Sequence, residues 1–225
     1  MIPFLSFNYQ DSLYREQLIE AMTNVLDSKW YIMGKYLDKF EEEYAEFHGV
    51  NFALGVANGL DALVIGLKVL EIGVGDEVIV PSNTYIASWL SVSAVGATPV
   101  PVEPEMGSYN IDPELIEAAI TKNTKAILPV HLYGQSCNMS RIMEIADKYK
   151  LFVIEDNAQA HMSRWNGKMT GTFGHINATS FYPGKNLGAM GDGGAVTTNN
   201  SEIADKIRLL RNYGSRIKYV NEIQG

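Results

Sequence analysis

From residue 51 onward the chain alternates short apolar runs with amphipathic stretches, and this alternation constrains the fold more than any other feature. The apolar runs predict strands at residues 52–56, 77–80, 98–102, 126–130, 151–154, 178–182 and 194–198. Helices are predicted between them at residues 59–70, 84–95, 112–120, 139–150 and 201–212. Several runs are apolar throughout, which is typical of parallel strands covered on both faces. The pattern therefore predicts one α/β layer domain.

Two amphipathic helices are predicted before the first strand. Apolar residues recur at helical spacing in both segments, first Leu18, Ile19, Met22, Val25 and Leu26, and then Leu37, Phe40, Tyr44 and Phe47.

Charge and cysteine content argue against some classes of protein. The formal net charge of -8 leaves no basic surplus to offset phosphates, so a general nucleic-acid binder is not expected. Cys137 is the only cysteine, which excludes an internal disulfide and fits a reducing compartment. The start lacks the features of a signal peptide, and no apolar run approaches the roughly 20 residues of a membrane-spanning helix. We therefore expect a cytoplasmic protein with no membrane partner.

Polar clusters follow four of the predicted strands, where ligands collect in open α/β sheets. The first, ANGLDA at residues 57–62, joins a strand to a helix. Its glycine and free helix amides favour a phosphate, although an ordinary capped turn has the same appearance. The second, PSNTY at residues 81–85, provides Tyr85, which either stacks on a flat heteroaromatic ring or is a half-buried tyrosine at a helix start.

The third cluster, EDNAQAH at residues 155–161, places two acids at the end of a buried strand, which is costly unless they are paired or functional. A metal site of Glu155, Asp156 and His161 lacks a second His or Cys at ligand spacing, so no metal is predicted. We interpret Asp156 as a carboxylate that faces a ring cation. The fourth cluster offers the Ser180 hydroxyl and the Lys185 amine on one turn. Such an amine can form an imine with an aldehyde, although taken alone it reads first as a solvated lysine.

Together these segments resemble the pyridoxal-phosphate sugar aminotransferases of the DegT/DnrJ/EryC1/StrS family. The resemblance covers essentially the whole chain, and its most specific parts are EDNAQAH at residues 155–161 and SFYPGKNLG at residues 180–188. It implies the large domain of the aspartate-aminotransferase (type I) fold, with three α/β/α layers and a mainly parallel seven-stranded sheet. The implied divisions are an N-terminal arm and helix (1–34), a cofactor-binding domain (35–212) and the start of a loop (213–225) leading to an absent C-terminal small domain.

The resemblance also implies a role for each residue of a pyridoxal 5'-phosphate site. Lys185 forms the imine with the cofactor and acts as catalytic base and acid, and Asp156 pairs with the pyridine nitrogen. The other implied contacts are Gln159 beside the phenolic oxygen, Tyr85 on the ring, and Gly59, Leu60, Asp61 and Ser180 around the phosphate. One departure from the family is Met162, where glycine is more usual.

Three segments look most similar to the 3-aminotransferases of dTDP-3-keto-6-deoxyhexoses: NGLDAL at 58–63, HLYGQ at 131–135 and YPGK at 182–185. The implied reaction transfers an amino group from an amino acid, expected to be L-glutamate, to such a nucleotide-linked ketosugar. The implied assembly is a homodimer with active sites at its interface.

Other functions stay open at this point. A transaminase acting on another keto position is one, and an inactive fragment or a non-catalytic regulatory homologue is another, because family members continue past residue 225. A sugar 3-dehydratase is disfavoured by Lys185, which those enzymes replace with histidine. A nicotinamide dehydrogenase is disfavoured by the missing GxGxxG after the first strand.

Overall fold

A computed structural model describes residues 2–3, 5–217 and 219–225, and strands and helices alternate in it between residues 52 and 156. The helices are α1 (Asn8–Ser28), α2 (Lys35–His48), α3 (Gly59–Val69), α4 (Ile86–Ala94), α5 (Pro113–Ala119), α6 (Met139–Tyr149) and α7 (Ser201–Leu210), with a 3-10 turn at Leu132–Gly134. The strands are β1 (Phe52–Val56), β2 (Glu77–Pro81), β3 (Thr98–Val102), β4 (Thr124–Ile127), β5 (Phe152–Asp156), β6 (Arg164–Trp165), β7 (Lys168–Met169), β8 (Ile176–Ser180), β9 (Gly194–Thr198), β10 (Ser215–Ile217) and β11 (Val220–Asn221).

Seven of the strands form one sheet in the order β1-β9-β8-β5-β4-β2-β3. Strand β5 pairs in parallel with β4 and β8, and β2 pairs in parallel with β3 and β4. Only β9 runs antiparallel to its neighbours, β1 and β8. The mainly parallel seven-stranded sheet implied by the resemblance is therefore confirmed. The remaining strands form two separate hairpins, β6–β7 and β10–β11.

Both faces of the sheet are covered by helices, which completes the three layers. Val78 and Val80 of β2 belong to the apolar core shared with α3, α4 and α7, whereas Ile79 between them belongs to the core shared with α5 and α6. Ile154 and Val153 of β5 divide in the same way. Because consecutive strand residues point to opposite faces and both faces are buried, these strands carry apolar residues at consecutive central positions.

Two strands end earlier than the sequence predicts. Strand β4 stops before Pro129, which has no N–H to donate to the ladder, and only an isolated bridge between Val130 and Asp156 follows. Strand β8 ends at Ser180, because the Tyr182 N–H is directed to Ser180 Oγ at 3.3 Å and no longer to a neighbouring strand. The second correction places the polar side chain of Ser180 at the end of its strand.

The two N-terminal helices differ in how they use their apolar residues. Tyr44 of α2 is buried, and it packs with Phe40 and Phe181 over the β1 end of the sheet. On α1, by contrast, Ile19 and Met22 are about half exposed. The stripe predicted on α1 is therefore present as an apolar surface that the described residues do not cover.

Candidate active site

A cavity of about 580 Å³ opens at the carboxyl ends of β5 and β8, beside the first turns of α3 and α4. Most of the residues that the sequence singles out line its wall: Gly59, Leu60, Tyr85, Asp156, Gln159, Ser180 and Lys185. Asp61 does not join them, because it lines a neighbouring cavity on the other side of α3. The structure thus brings seven of the eight predicted residues to one site.

The first turn of α3 presents backbone donors to this cavity. Asn58 caps the helix, and its side-chain oxygen accepts the Asp61 N–H at 2.9 Å. The N–H groups of Gly59 and Leu60 have no partner within the described ranges, so they are available to a ligand. Free amides at a helix N-terminus, together with the positive end of the helix dipole, favour a phosphate or another anion.

Gly59 also explains why α3 can lie so close to β8. A Cβ added at Gly59 would stand 2.6 Å from the Cβ of Ser180, a separation that carbon atoms do not reach without displacement. The absence of a side chain therefore places the Gly59 N–H and the Ser180 hydroxyl at one point of the cavity wall. Ser180 itself is 9% exposed, and its Oγ accepts the Tyr182 N–H.

Asp156 ends β5 and is 7% exposed. Its Oδ1 accepts the Ala158 N–H at 3.1 Å, and its Oδ2 accepts the Ser88 hydroxyl at 2.9 Å. Burial raises the pKa of Asp156 above its ordinary value, and these two hydrogen bonds and the charge of Lys185 oppose the rise. A cation inside the cavity would favour the ionised carboxylate in the same way.

Gln159 and Tyr85 add a hydrogen-bond donor and an aromatic ring. The Gln159 side-chain oxygen accepts the Tyr133 N–H at 2.8 Å, so its amide nitrogen is the group left for a ligand. Tyr85 is 70% exposed and precedes α4. The alternative of a half-buried tyrosine is therefore wrong, and its ring is free to stack on a flat ligand.

Lys185 follows β8 on a turn that its own N–H closes by donating to Tyr182 O at 2.8 Å. Its side chain is partly exposed and lines the cavity across from Asp156, whose pKa its charge lowers. A flexible amine and a buried carboxylate thus face one space.

Glu155, the neighbour of Asp156, has a different environment. Its carboxylate accepts the N–H groups of Gly171, Phe173 and Gly174 and a hydrogen bond from His131 Nε2 at 2.8 Å. Although burial works in the opposite direction, these donors lower the pKa of Glu155. His131 Nδ1 accepts the Cys137 N–H, so the ring carries its proton on Nε2.

A metal site was not predicted, and no candidate is found in the described part of the chain. No group of three His, Cys, Asp or Glu side chains there is arranged to hold an ion. His161, the third member of the rejected ligand set, contacts the Ser180 carbonyl oxygen through Nε2 at 3.1 Å.

The sequence reasoning did not single out two hydroxyl groups at this site. Thr84 lines the cavity, and Ser88 contacts Asp156 from α4. Their spacing of four residues places them on one face of the chain at the start of α4. Two hydroxyls at that spacing after a buried strand are the signal that could have found them.

The donors match the groups of pyridoxal phosphate one by one. Free amides and a hydroxyl suit the phosphate, a buried carboxylate suits the ring nitrogen, and an amide N–H suits the phenolic oxygen. The close approach at Gly59 supports the same fit, because a Cβ there would clash with Ser180 and separate the two groups that suit the phosphate.

Comparison with known proteins gives a consistent result. Residues 13–225 match the DegT/DnrJ/EryC1/StrS aminotransferase family. The chain is 56% identical to the dTDP-3-amino-3,6-dideoxy-alpha-D-galactopyranose transaminase of Aneurinibacillus thermoaerophilus, over 100% of this chain and 62% of the relative. It is 51% identical to the dTDP-3-amino-3,4,6-trideoxy-alpha-D-glucose transaminase of Streptomyces venezuelae, over 100% of this chain and 59% of the relative. The chain thus spans about three fifths of the length of these relatives.

Solved structures show the same fold. S. venezuelae DesV, determined in complex with a ketimine intermediate, superposes with a TM-score of 0.97 at 52% identity, covering 100% of this chain and 60% of DesV. NtdA of Bacillus subtilis, with bound cofactor PMP, gives a TM-score of 0.93 at 36% identity, covering 99% of this chain and 51% of NtdA. None of the helices in the described part of the chain has the length and apolar content to span a bilayer.

Proposed function

This chain belongs to the DegT/DnrJ/EryC1/StrS aminotransferase family, and we propose that it transfers an amino group from an amino acid to a nucleotide-linked ketosugar with pyridoxal phosphate. The observation that carries the proposal is one cavity wall that holds the Lys185 amine, the Asp156 carboxylate and the free amides of α3. When bound, the cofactor supplies an aldehyde that reacts with amines and a ring that withdraws electrons from an adjacent carbon.

Each protein group has a separate task in this proposal. The N–H groups of Gly59 and Leu60 and the Ser180 hydroxyl bind the phosphate, and Asp156 keeps the ring nitrogen protonated. Gln159 donates to the phenolic oxygen. Asp61 acts through the capped first turn of α3: its N–H donates to the Asn58 side-chain oxygen, and its side chain lines the other cavity.

Lys185 is the proton carrier in the proposal. Its amine would take a proton from the carbon that bears the amino group, as general base, and would return one, as general acid, to the carbon bonded to the other side of the same nitrogen. The partly exposed side chain has the freedom that this exchange requires. Tyr85 stacks on the ring and limits its motion.

For the substrate, we propose a dTDP-3-keto-6-deoxyhexose, with L-glutamate as the amino donor. The names of the two relatives above, both dTDP-3-amino sugar transaminases, support this choice. Another relative has a name that refers to a different nucleotide: GDP-perosamine synthase of Caulobacter vibrioides is 44% identical, over 91% of this chain and 54% of the relative. The nucleotide and the keto position are therefore the points that an assay has to separate.

We also propose that the protein works as a homodimer, built from an N-terminal arm (1–34), a cofactor-binding domain (35–212) and a connecting segment (213–225). The exposed apolar side chains of α1 support an interface at the arm. The seven-stranded sheet lies within the middle segment, whereas β10 and β11 form a hairpin outside it. Light scattering of the purified chain measures the subunit number.

Trapping of the cofactor at Lys185 tests the proposal. The chain is mixed with pyridoxal phosphate and reduced with borohydride, and the modified residue is identified by mass spectrometry. We expect one adduct, on Lys185, which is lost in Lys185→Ala and kept in Lys68→Ala, a lysine of the neighbouring cavity. A wild-type chain without an adduct, or with an unchanged adduct in Lys185→Ala, contradicts the proposed site.

Turnover then separates the substrates. dTDP-, UDP- and GDP-linked sugars with a keto group at carbon 3 or carbon 4 are compared, with L-glutamate and L-glutamine as donors. We expect the dTDP-3-keto sugar with L-glutamate to give the highest kcat/KM. Adduct formation without turnover of any sugar contradicts the transaminase activity and favours a regulatory role.

A further inference from the structure

Two hydroxyl groups connect the cavity wall with the Asp156 carboxylate. Thr84 Oγ1 lies 3.1 Å from Ser88 Oγ, and Ser88 Oγ donates to Asp156 Oδ2 at 2.9 Å. Thr84 is partly buried and lines the cavity, whereas Ser88 is 1% exposed. The contact between Ser88 and Asp156 joins residues that are 68 positions apart in the chain.

The direction of the hydrogen bonds follows from the number of protons. A hydroxyl group has one proton to donate. Because Ser88 donates its proton to Asp156, the Thr84 hydroxyl is the donor in the contact between Thr84 and Ser88. The second carboxylate oxygen of Asp156 accepts the Ala158 N–H at 3.1 Å, so donors fix both oxygens.

We propose that Ser88 is a positioning residue, which keeps the Asp156 carboxylate ionised and directed into the cavity, and that Thr84 supports it by donating to Ser88. The proposal depends on the proposed function only for the identity of the cation that Asp156 meets there. Hydrogen bonds to an ionised group are roughly twice as strong as neutral ones, so this contact favours the charged form of Asp156.

The electrostatic surroundings make this support necessary. Burial is the largest influence on Asp156 and raises its pKa, while the Ala158 N–H, the Ser88 hydroxyl and the charge of Lys185 lower it. Glu155, the nearest acid in the chain, is held by donors of its own. Removal of the Ser88 hydroxyl leaves Oδ2 without its side-chain donor, and the pKa of Asp156 then rises further.

The first experiment uses the chain without cofactor, so its outcome does not depend on the proposed function. Thermal unfolding is measured at a series of pH values that starts in the ordinary carboxyl range and extends upward, because burial raises the pKa of Asp156. The variants are Ser88→Ala, Asp156→Asn and the double variant. Because Ser88 bonds the ionised carboxylate most strongly, we expect the decrease in Tm caused by Ser88→Ala to grow with pH. In the Asp156→Asn background this growth should vanish.

A matched control separates this effect from ordinary packing. Ser91 lies in the same helix, is fully buried, and donates its hydroxyl proton to the Ser88 carbonyl oxygen at 2.7 Å, not to Asp156. Ser91→Ala should lower Tm by an amount that does not change with pH. An equal, pH-independent loss in Ser88→Ala overturns the proposal. If Ser88→Ala does not fold, Thr84→Val serves in its place, with a smaller loss that also has to grow with pH.

The second experiment measures the dissociation constant of pyridoxal phosphate. Each unit by which the pKa of unliganded Asp156 rises costs up to about tenfold in affinity at a pH below that pKa. Ser88→Ala should therefore bind about threefold to tenfold more weakly at the acid end and approach the wild type as pH rises. A ratio that stays constant with pH overturns the proposal, whereas a wild-type chain that fails to bind counts against the proposed function alone.

Discussion

Replacement of Gly59 with alanine tests whether α3 and β8 together form a phosphate site. The added Cβ would lie 2.6 Å from Ser180 Cβ and 3.2 Å from both Ser180 Cα and Ser180 Oγ. Carbon atoms in contact are about 3.5–4.0 Å apart, so the helix start and the strand end have to separate by about 1 Å. That shift moves the Gly59 N–H away from the Ser180 hydroxyl.

Two opposing contributions set the expected loss of stability. Overpacking of a well-packed site costs about 1–3 kcal/mol. Alanine is better than glycine within a helix by at most about 1 kcal/mol, which offsets part of that cost. We therefore expect Gly59→Ala to lower the free energy of unfolding by about 0–2 kcal/mol, measured by urea denaturation without cofactor.

The effect on binding should depend on the phosphate. Loss of one hydrogen bond to a charged group corresponds to about tenfold or more in affinity. We expect Gly59→Ala to weaken pyridoxal phosphate by at least that factor and to leave the affinity for pyridoxal, which lacks the phosphate, almost unchanged. Both dissociation constants are measured by titration.

Gly73→Ala is the matched control, because a Cβ at Gly73 meets only the Val95 carbonyl oxygen, at an ordinary 3.5 Å. It should leave both affinities at the wild-type level. Equal affinity of Gly59→Ala and wild type for pyridoxal phosphate would refute the assignment of the phosphate site to this turn. An equal weakening of both ligands would refute it as well.

Two further predictions concern buried ionisable groups. Glu155→Gln should lower the free energy of unfolding by about 3–5 kcal/mol, because an amide cannot accept from four donors. The control Glu114→Gln, on the surface, should lower it by about 1 kcal/mol or less. Urea denaturation measures both variants, and equal losses would contradict the prediction. Burial lowers the pKa of His48, His161 and His175 from 6.5, so these rings are neutral in the folded chain and take up protons on unfolding. The stability that these neutral rings contribute is complete above pH 6.5 and is lost as pH falls below that value, so the Tm of the wild type should decrease there. In His48→Gln the decrease of Tm below pH 6.5 should be smaller. An equal decrease in both proteins would contradict the prediction.

Much of the fold could be predicted from the sequence, because buried parallel strands require apolar residues on both faces. Strand ends are predicted wrongly where a single backbone N–H, missing or directed elsewhere, ends the pairing with the neighbouring strand. Pro129 interrupts β4, and the Tyr182 N–H turns to Ser180 Oγ. Hydropathy contains no information on hydrogen-bond direction, so such ends require the structure.

The residues of the candidate site also differ in how far the sequence predicts them. Lys185 and Asp156 stand in segments with recognisable local sequence, so their common cavity could be predicted. For Ser88 the sequence offers only the spacing of two hydroxyls, and its contact with Asp156 depends on how α4 packs against the end of β5. The resemblance implies Asp61 beside Gly59 at the phosphate, but each residue of a helix is turned about 100° from the last, and Asp61 lines another cavity.

The neighbours Glu155 and Asp156 show how donor counts distinguish a structural acid from a binding acid. They end one strand, so their side chains point to opposite faces of the sheet. Glu155 accepts hydrogen bonds from four protein donors, which occupy the sites that two carboxylate oxygens offer. Asp156 accepts two, so it keeps unused acceptor capacity at the cavity wall. A buried carboxylate with incomplete donors is stabilised by a cation, and this incompleteness, more than the presence of an acid, supports the proposal that Asp156 meets the ring nitrogen.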